Sequence, residues 1–364
     1  MAYEVIEISE LDQFLKLEEE WNLLLSVSHC DIPFLRHEWF RNWWLNFGGS
    51  NRLAVVCIRK KGGLVGAFPL MEARTTFAGL PFITLQSITN AHSFRYHFLL
   101  WPGEEGSLTA FWKYLRSRSR RWDLLQLKEM PADVPVYEVL RDTARKDSFP
   151  VEIWIGGDSP YVRINGRWDA YWEGLTPKFR SNMRNRSRRL KQLGELDYEV
   201  VTDPSAIEGA LSDGFAIEHE SWKGEKGTAI ACSQDLMNFY TRWADTAAKK
   251  GWLRLSFLKV NNRRVAFDYS IYYNNRLYCM KIGYDPAFHQ YSVGQLLCSR
   301  ILQHCFEDGL SEYDFLGEST TQKKDWTSLA RRRLCVFIYN RTLPASMHLY
   351  KFRMRQILKR WINK

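Results

Sequence analysis

The period of hydrophobic and polar positions changes several times along the chain, and the same order of changes occurs twice. Apolar residues at three- and four-residue spacing predict amphipathic helices over 11–25 and 38–47. Residues 53–70 then alternate around a short polar turn, Lys61-Gly62-Gly63, and predict a β-hairpin. A strand over 82–89, a helix over 107–118 and strands over 123–128 and 151–155 complete the first series. The second begins with helices over 207–222 and 235–250 and a hairpin over 253–270 that turns at Asn261-Asn262-Arg263. A strand over 276–282, a helix over 294–307 and strands over 313–316 and 334–339 follow.

Individual residues match as well as periods. Leu53, Val55, Ile58 and Val65 stand two hundred residues before Leu253, Leu255, Leu258 and Val265. Phe40 and Trp43 correspond to Tyr240 and Trp243, Trp21 falls within one residue of Trp222, and Trp122-Asp123-Leu124 corresponds to Tyr313-Asp314-Phe315. Any two hairpins share an apolar pattern, but agreement of element order, large aromatics and spacing argues for duplication. Strands mixed with amphipathic helices imply an α/β fold (α+β, mixed sheet). The expectation is therefore two tandem, duplicated domains, 1–160 and 161–346, followed by a basic amphipathic helix over 347–364. A length of 364 residues suits two domains.

Charge changes this picture once it is located. The net +10 is concentrated in 178–191, with seven Lys or Arg and no acid, and in 347–364, with six more and no acid. The remaining 38 basic and 41 acidic residues leave a net −3, so no uniformly basic surface for DNA is expected. The first basic run predicts a linker helix over 177–193, with Thr176 able to cap it, Pro177 at its first position and Gly194 past its end. That run suits either a solvated or inter-domain helix or phosphate contacts. The tail can dock on its own protein or lie on an anionic membrane surface, and docking is the expectation. No apolar run reaches the ~18 residues of a membrane span. Residues 1–4 lack the start of a secretory signal. Seven cysteines without a CxxC read as free thiols in a reducing compartment, so a cytoplasmic chain without a bound metal is expected.

Three segments carry candidate chemistry. In the first, Tyr284 and Asp285 end a strand, and a polar loop leads through Tyr291 and Ser292 into a helix at Val293-Gly294-Gln295. Amides at a helix start can bind a phosphate, and Gly294 would admit it closely; a plain helix start capped by Ser292 is the alternative. In the second, Asp314 lies on a short strand that breaks at Gly317 into Glu318, Lys323 and Trp326. A lysine there can hold an oxyanion or a substrate carboxylate, or be ordinary loop charge. In the third, His219 and Glu220 precede Trp222 at a helix end; a histidine beside a carboxylate can relay protons, or simply pack. GxxxxGK[ST], HExxH and GxSxG are all missing.

The runs HESWKG (219–224), GWLRLSFL (251–258), KIGYD (281–285), YSVGQLL (291–297) and YDFLGESTTQKKDW (313–326) resemble the acetyltransferase group related to cellulose biosynthesis. That group is a branch of the GNAT acyltransferases, similar to the Fem aminoacyl transferases of cell-wall assembly. The resemblance implies tandem GNAT-like domains and an acyl-CoA donor. It matches the family's lysine three before an aromatic to Lys323 and Trp326. The family's Ser-Pro-Gly helix start is matched to Ser292-Val293-Gly294, with Val293 in place of proline. The usual Q/RxxGxG/A loop is not reproduced, since Tyr291 and Leu296 occupy its outer positions. In the first half Gly106 and Ser107 align with Gly294 and Gln295, but Glu104 and Glu105 just upstream would repel a pyrophosphate.

The resulting expectation is an N-acyltransferase of polysaccharide or cell-envelope synthesis with one active copy, in the second half. Acetyl-CoA or another acyl-CoA would be the donor, held by Tyr291, Ser292, Val293, Gly294 and Gln295. A small-molecule or lipid-linked amine or amino sugar would be the acceptor, met by Trp222, Tyr284, Asp285 and Trp326. Lys323 would serve the oxyanion, and Asp314, Glu318 or His219 would take the proton. The alternatives are a Fem-like transferase using aminoacyl-tRNA, favoured by the basic helix, and a non-catalytic scaffold.

Overall fold

A computed structural model describes residues 2–134 and 136–362, without the side chains of Trp222, Lys223 and residues 359–362. The chain divides into two compact units, Met1–Gly157 with Arg332–Lys364, and Asp158–Arg331. The sequence expectation assigned 332–346 to the second half, whereas these residues cluster with the first unit.

The first unit begins with β1 (Glu4–Ile8), α1 (Leu11–Leu15), α2 (Glu18–Val27) and α3 (His37–Phe47). Strands β2 (Arg52–Leu53), β3 (Val55–Lys60), β4 (Gly63–Phe68), β5 (Leu70–Phe77), β6 (Leu80–Ser87) and β7 (Leu99–Leu100) follow. Next come α4 (Gly106–Ser117), β8 (Leu124–Pro131), α5 (Val136–Lys146) and β9 (Val151–Arg163), which leads out of the unit. The second unit contains α6 (Trp168–Gly174), α7 (Pro177–Lys191), β10 (Leu196–Val201), α8 (Ile207–Glu220), α9 (Trp222–Glu225) and α10 (Gln234–Lys249). It continues with β11 (Leu253–Val260), β12 (Arg263–Tyr273), β13 (Arg276–Tyr284), α11 (Val293–Glu307), β14 (Glu312–Asp314) and α12 (Thr321–Lys324). Strand β15 (Ala330–Tyr339) returns the chain to the first unit, which ends in α13 (Leu343–Ile362).

The duplication is explicit in the strand ladders. In the second unit β10, β11, β12 and β13 pair antiparallel in turn, and β13 pairs parallel with β14. In the first, β1 pairs with β3 and β3 with β4, β5 pairs with β6, all antiparallel, and β6 runs parallel to β8. The counterpart of the unbroken β12 is split at Pro69 into β4 and β5. Proline has no N–H for a ladder, and the Tyr96 hydroxyl donates to the Pro69 carbonyl at 2.7 Å. One strand thus becomes two, in separate sheets.

The closing strands are exchanged. The end of the first series, Tyr161 to Arg163 of β9, pairs with β14 in the second unit, and β15 pairs with β8 in the first. An alternating apolar strand suits either ladder.

Helix α11 buries Val293, Leu297, Ile301 and Leu302 on the second unit's sheet, beside Phe179, Met183 and Leu190 of α7. The Thr176 hydroxyl accepts the Phe179 N–H and caps α7. Helix α8 lies so close to the sheet that a Cβ on Gly214 would fall 2.4 Å from the Phe267 ring. Alternation along β12 therefore turns Phe267 toward α8 and its neighbour Asp268 to the other face.

Candidate active site

The β13–β14 ladder is short. Arg276, Leu277 and Tyr278 pair with Glu312, Tyr313 and Asp314; β13 then runs on to Tyr284 while β14 ends. Its register against β12 slips between Tyr269/Ser270, where Lys281 and then Cys279 are the partners, so Met280 is an extra, bulged residue. Beyond Asp314 the chain turns away through Leu316 (φ 50°) and Gly317 (φ 54°), both left-handed. The strands separate and leave a cavity of about 580 Å³. Its wall includes Met280 to Tyr284 of β13, Ser292, Gly294 and Gln295 at the start of α11, Tyr313 and Phe315, and Lys323 and Trp326.

The start of α11 opens onto this space. Its first internal bonds run from the Gln295 and Leu296 N–H groups to the Ser292 carbonyl, so the Val293 and Gly294 amides precede the intrahelical ladder. Ser292 occupies the N-cap position in a left-handed conformation (φ 49°) without a side-chain cap, so the simple serine cap is not formed. A Cβ on Gly294 would meet nothing closer than Tyr284 Cδ1 at 3.7 Å. Packing does not demand glycine here, and the open amides and cradle fit an anion such as a pyrophosphate. Val293 is fully buried and contributes only its backbone. Tyr291 is not part of the cavity wall; the Arg189 guanidinium lies over its ring at 5.4 Å.

Gln295 does not offer its amide to a donor. Its Nε2 donates to the Gln322 carbonyl at 3.1 Å and its Oε1 accepts the Trp326 indole N–H at 2.5 Å. It fastens the Lys323 loop to α11. Trp326, 1% exposed, packs edge-on to Phe179 at 4.8 Å, anchoring the loop in the core.

Lys323 lies at the cavity rim, and its Nζ donates to the carbonyls of Leu316 at 2.7 Å and Glu318 at 3.1 Å. Asp314, expected as a proton acceptor, has another place. It is 1% exposed, its Oδ1 accepts the Leu316 N–H at 2.9 Å, and its Oδ2 faces Arg331 at 3.4 Å. Asp314 thereby holds the left-handed Leu316 turn whose carbonyl orients Lys323; a branched side chain at positive φ needs such support. The Glu318 side chain is exposed and contributes through its carbonyl instead.

Two further expectations shift. His219 is exposed at the end of α8 and outside the cavity wall. Its neighbour Glu218 is fully buried, accepts the Ile230 N–H at 3.0 Å and lies 3.9 Å from Lys281 Nζ, which does reach the cavity. Helical spacing contained this signal. Glu218 continues the inward row of Ile207, Leu211, Gly214 and Phe215, and His219 is one position off it. Asp285 is buried, accepts the Ala287 N–H at 2.9 Å and pairs with Arg263; it caps a 3-10 turn and does not line the cavity. The Trp222 side chain is outside the described residues. Tyr284 lines the cavity as expected.

Cys279 and Cys298, also in the cavity wall, were missed. Behind them stands Asp268, fully buried, accepting from the Ser270 hydroxyl and from Cys279 Sγ at 3.0 Å. Burial raises its pKa to about 6 despite those two donors. Among the described residues no group of three or more His, Cys, Asp or Glu is placed to hold a metal ion.

No curated protein matches the chain. The chain superposes on the crystal structure of FemX with a TM-score of 0.61 at 11% identity, covering 96% of this chain and 99% of that one. The structure of L-PGS from Bacillus licheniformis gives 0.52 at 13% identity, covering 94% and 96%. The C-terminal domain of a protein from Agrobacterium fabrum described as a lysylphosphatidylglycerol synthetase gives 0.52 at 11%, covering 93% and 96%. At these identities the likeness is one of fold. A family model described as acetyltransferase (GNAT) domain matches residues 177–324, from α7 through the cavity to α12. By that match residues 177–324 carry a GNAT-type acetyltransferase domain.

Proposed function

We propose that the chain is an N-acyltransferase that moves an acyl group from acyl-CoA to an amine within the second unit's cavity. The observation that carries this reading is the separation of β13 and β14 beside the open start of α11, with Lys323 at the rim. The Val293 and Gly294 amides would hold the donor's pyrophosphate, aided by the dipole of a fifteen-residue helix. The thioester would extend into the gap, toward Met280 and Tyr313. As the amine attacks the thioester carbonyl, negative charge grows on its oxygen, and Lys323 would donate to it. Asp314 would act by positioning, through Leu316. As the carbon–sulfur bond breaks, the new amide nitrogen would lose its surplus proton through water, and Tyr284, in the cavity wall, would give one to the departing thiolate.

An amine acceptor agrees with the sequence resemblance, and the lysylphosphatidylglycerol synthetase among the neighbours, named for a lipid product, favours a lipid-linked one. Polysaccharide or envelope synthesis is the setting that agrees with the sequence resemblance. Acetyl-CoA, longer acyl-CoAs and free CoA, compared by thermal shift and by release of CoA thiol, test the reading. A donor at a hundred times its dissociation constant adds about 2.7 kcal/mol of stability. No shift with any of them, and no thiol release with an amine panel, would overturn it.

A second reading, transfer from aminoacyl-tRNA, is favoured by α7. Its seven Lys and Arg include no ion pair with a carboxylate among the described residues, as a surface for a phosphate backbone would require. Dependence of product formation on charged tRNA, with acyl-CoA inert, would select it.

A further inference from the structure

Helix α13 presents two different apolar faces. Ala345, Leu349 and Phe352 turn inward onto Phe82, Leu124, Phe337 and Tyr339 of the first unit. His348 joins them, stacked on Phe82 at 5.0 Å. This is the docking expected from the sequence, and it uses three of the helix's apolar residues.

Leu343, Met347, Tyr350, Met354, Ile357 and Leu358 are exposed, by 38% to 68%. Leu343, Met347, Tyr350, Met354 and Ile357 follow one another at four, three, four and three residues, and Leu358 stands four after Met354, so all six share one continuous face. Large apolar side chains gathered in one exposed stripe mark an interaction surface; single scattered ones do not. The stripe is flanked by cations. Lys351 and Arg355 lie on one shoulder, between stripe and docked face, and Arg353, tied to Glu152 at 2.6 Å, lies on the other. No acidic residue occurs from Arg341 to the end of the chain.

We propose that the outer face of α13 lies on an anionic phospholipid surface while the inner face stays docked on the protein. An apolar stripe between two cationic shoulders matches the acyl boundary and the headgroup phosphates respectively. A second copy of the same face is a poor partner, because two-fold pairing would bring Lys351 and Arg355 of both copies together with no acid on the helix to offset them. Twenty residues make a helix about 30 Å long, and no described helix is apolar enough to cross a membrane, so the helix would lie in the plane of the surface. The proposal is independent of the donor and acceptor.

The test is cosedimentation of the full chain with phosphatidylcholine vesicles, with and without phosphatidylglycerol, at low and high salt. Binding should need phosphatidylglycerol and weaken with salt. The double substitution Met354→Glu and Ile357→Glu should reduce it by roughly tenfold or more while the melting temperature stays unchanged. Lys351→Gln with Arg355→Gln should flatten its salt dependence. Three results would overturn the proposal. The first is a folded wild-type protein that stays in the supernatant with anionic vesicles at low salt. The second is undiminished binding by the double variant. The third is a dimer, seen by sedimentation equilibrium, that the double variant dissociates while vesicles bind neither form.

Discussion

The starts of α4 and α11 are the same position in two copies of one plan, and they have opposite surroundings. At α11 a Cβ added to Gly294 would touch only Tyr284 and Ile282 at ordinary distances, and the cavity lies in front. At α4 a Cβ on Gly106 would fall 2.6 Å from the Tyr3 hydroxyl, which donates to Glu104 at 2.8 Å, and Lys60 pairs with the same carboxylate. A phenol and the carboxylate it is bonded to thus occupy the place of an anion. The strands differ in the same sense. After Asp123 the chain continues as β8, eight residues long, whereas after Asp314 it breaks away and leaves the gap. Nine residues beyond those two aspartates stand Ala132 and Lys323. Even the sheet interior differs. Phe68, stacked on Phe111 at 4.0 Å, corresponds to the buried Asp268. The first copy has been filled for stability and the second kept open, with polar groups whose burial costs stability.

Exchanging residues between these paired positions can break the comparison. The largest effect is expected at Lys323: Lys323→Met should lower turnover about a hundredfold or more, as the loss of one oxyanion donor does. Lys324→Met, beside it but outside the cavity wall, should have little effect. Equal, mild losses from both would reduce Lys323 to loop charge.

Next in size is the pH dependence from Asp268. Its folded pKa of about 6 lies above the ordinary 3.8. Between those values the folded state holds a proton that the unfolded state has lost, so stability falls as pH rises through this window. Roughly two units at about 1.4 kcal/mol each amount to about 3 kcal/mol. Urea unfolding of Asp268→Asn should show a flatter profile from pH 4 to 7 and higher stability at the upper end. A profile as steep as the wild type's would assign the slope to other groups.

Gly294→Asp places a side chain and a like charge at the proposed pyrophosphate site, and should weaken acyl-CoA affinity by roughly tenfold or more without unfolding the protein. Gly106→Asp should leave that affinity alone. Reversed results would move the donor to the first unit. The smallest difference is expected from alanine. Gly106→Ala displaces Tyr3 from Glu104 and should cost about 1 kcal/mol, a hydrogen bond's worth. Gly294→Ala meets no obstacle and should melt with the wild type.

Much of this was written in local pattern. Period changes located the hairpins, the α4 and α11 helices and the repeat itself, because amphipathic spacing is decided by which residues must be buried together. Turn chemistry marked Thr176-Pro177 and the Gly317 break, and the loop between Gly317 and Trp326 was identified with Lys323 in it. What depends on partners distant in sequence was not legible. The exchange of closing strands needed the ladders, since alternation cannot choose between two compatible edges. Asp314, Asp285 and Gln295 have the composition of a site, yet their hydrogen bonds go to Leu316, Ala287 and Trp326, making them supports. Asp268, Cys279 and Cys298 look like ordinary core positions until a bulge at Met280 and a short β14 bring them to a cavity wall. Sequence periodicity states which face a side chain is on; only tertiary packing decides whether that face meets a neighbour or an opening.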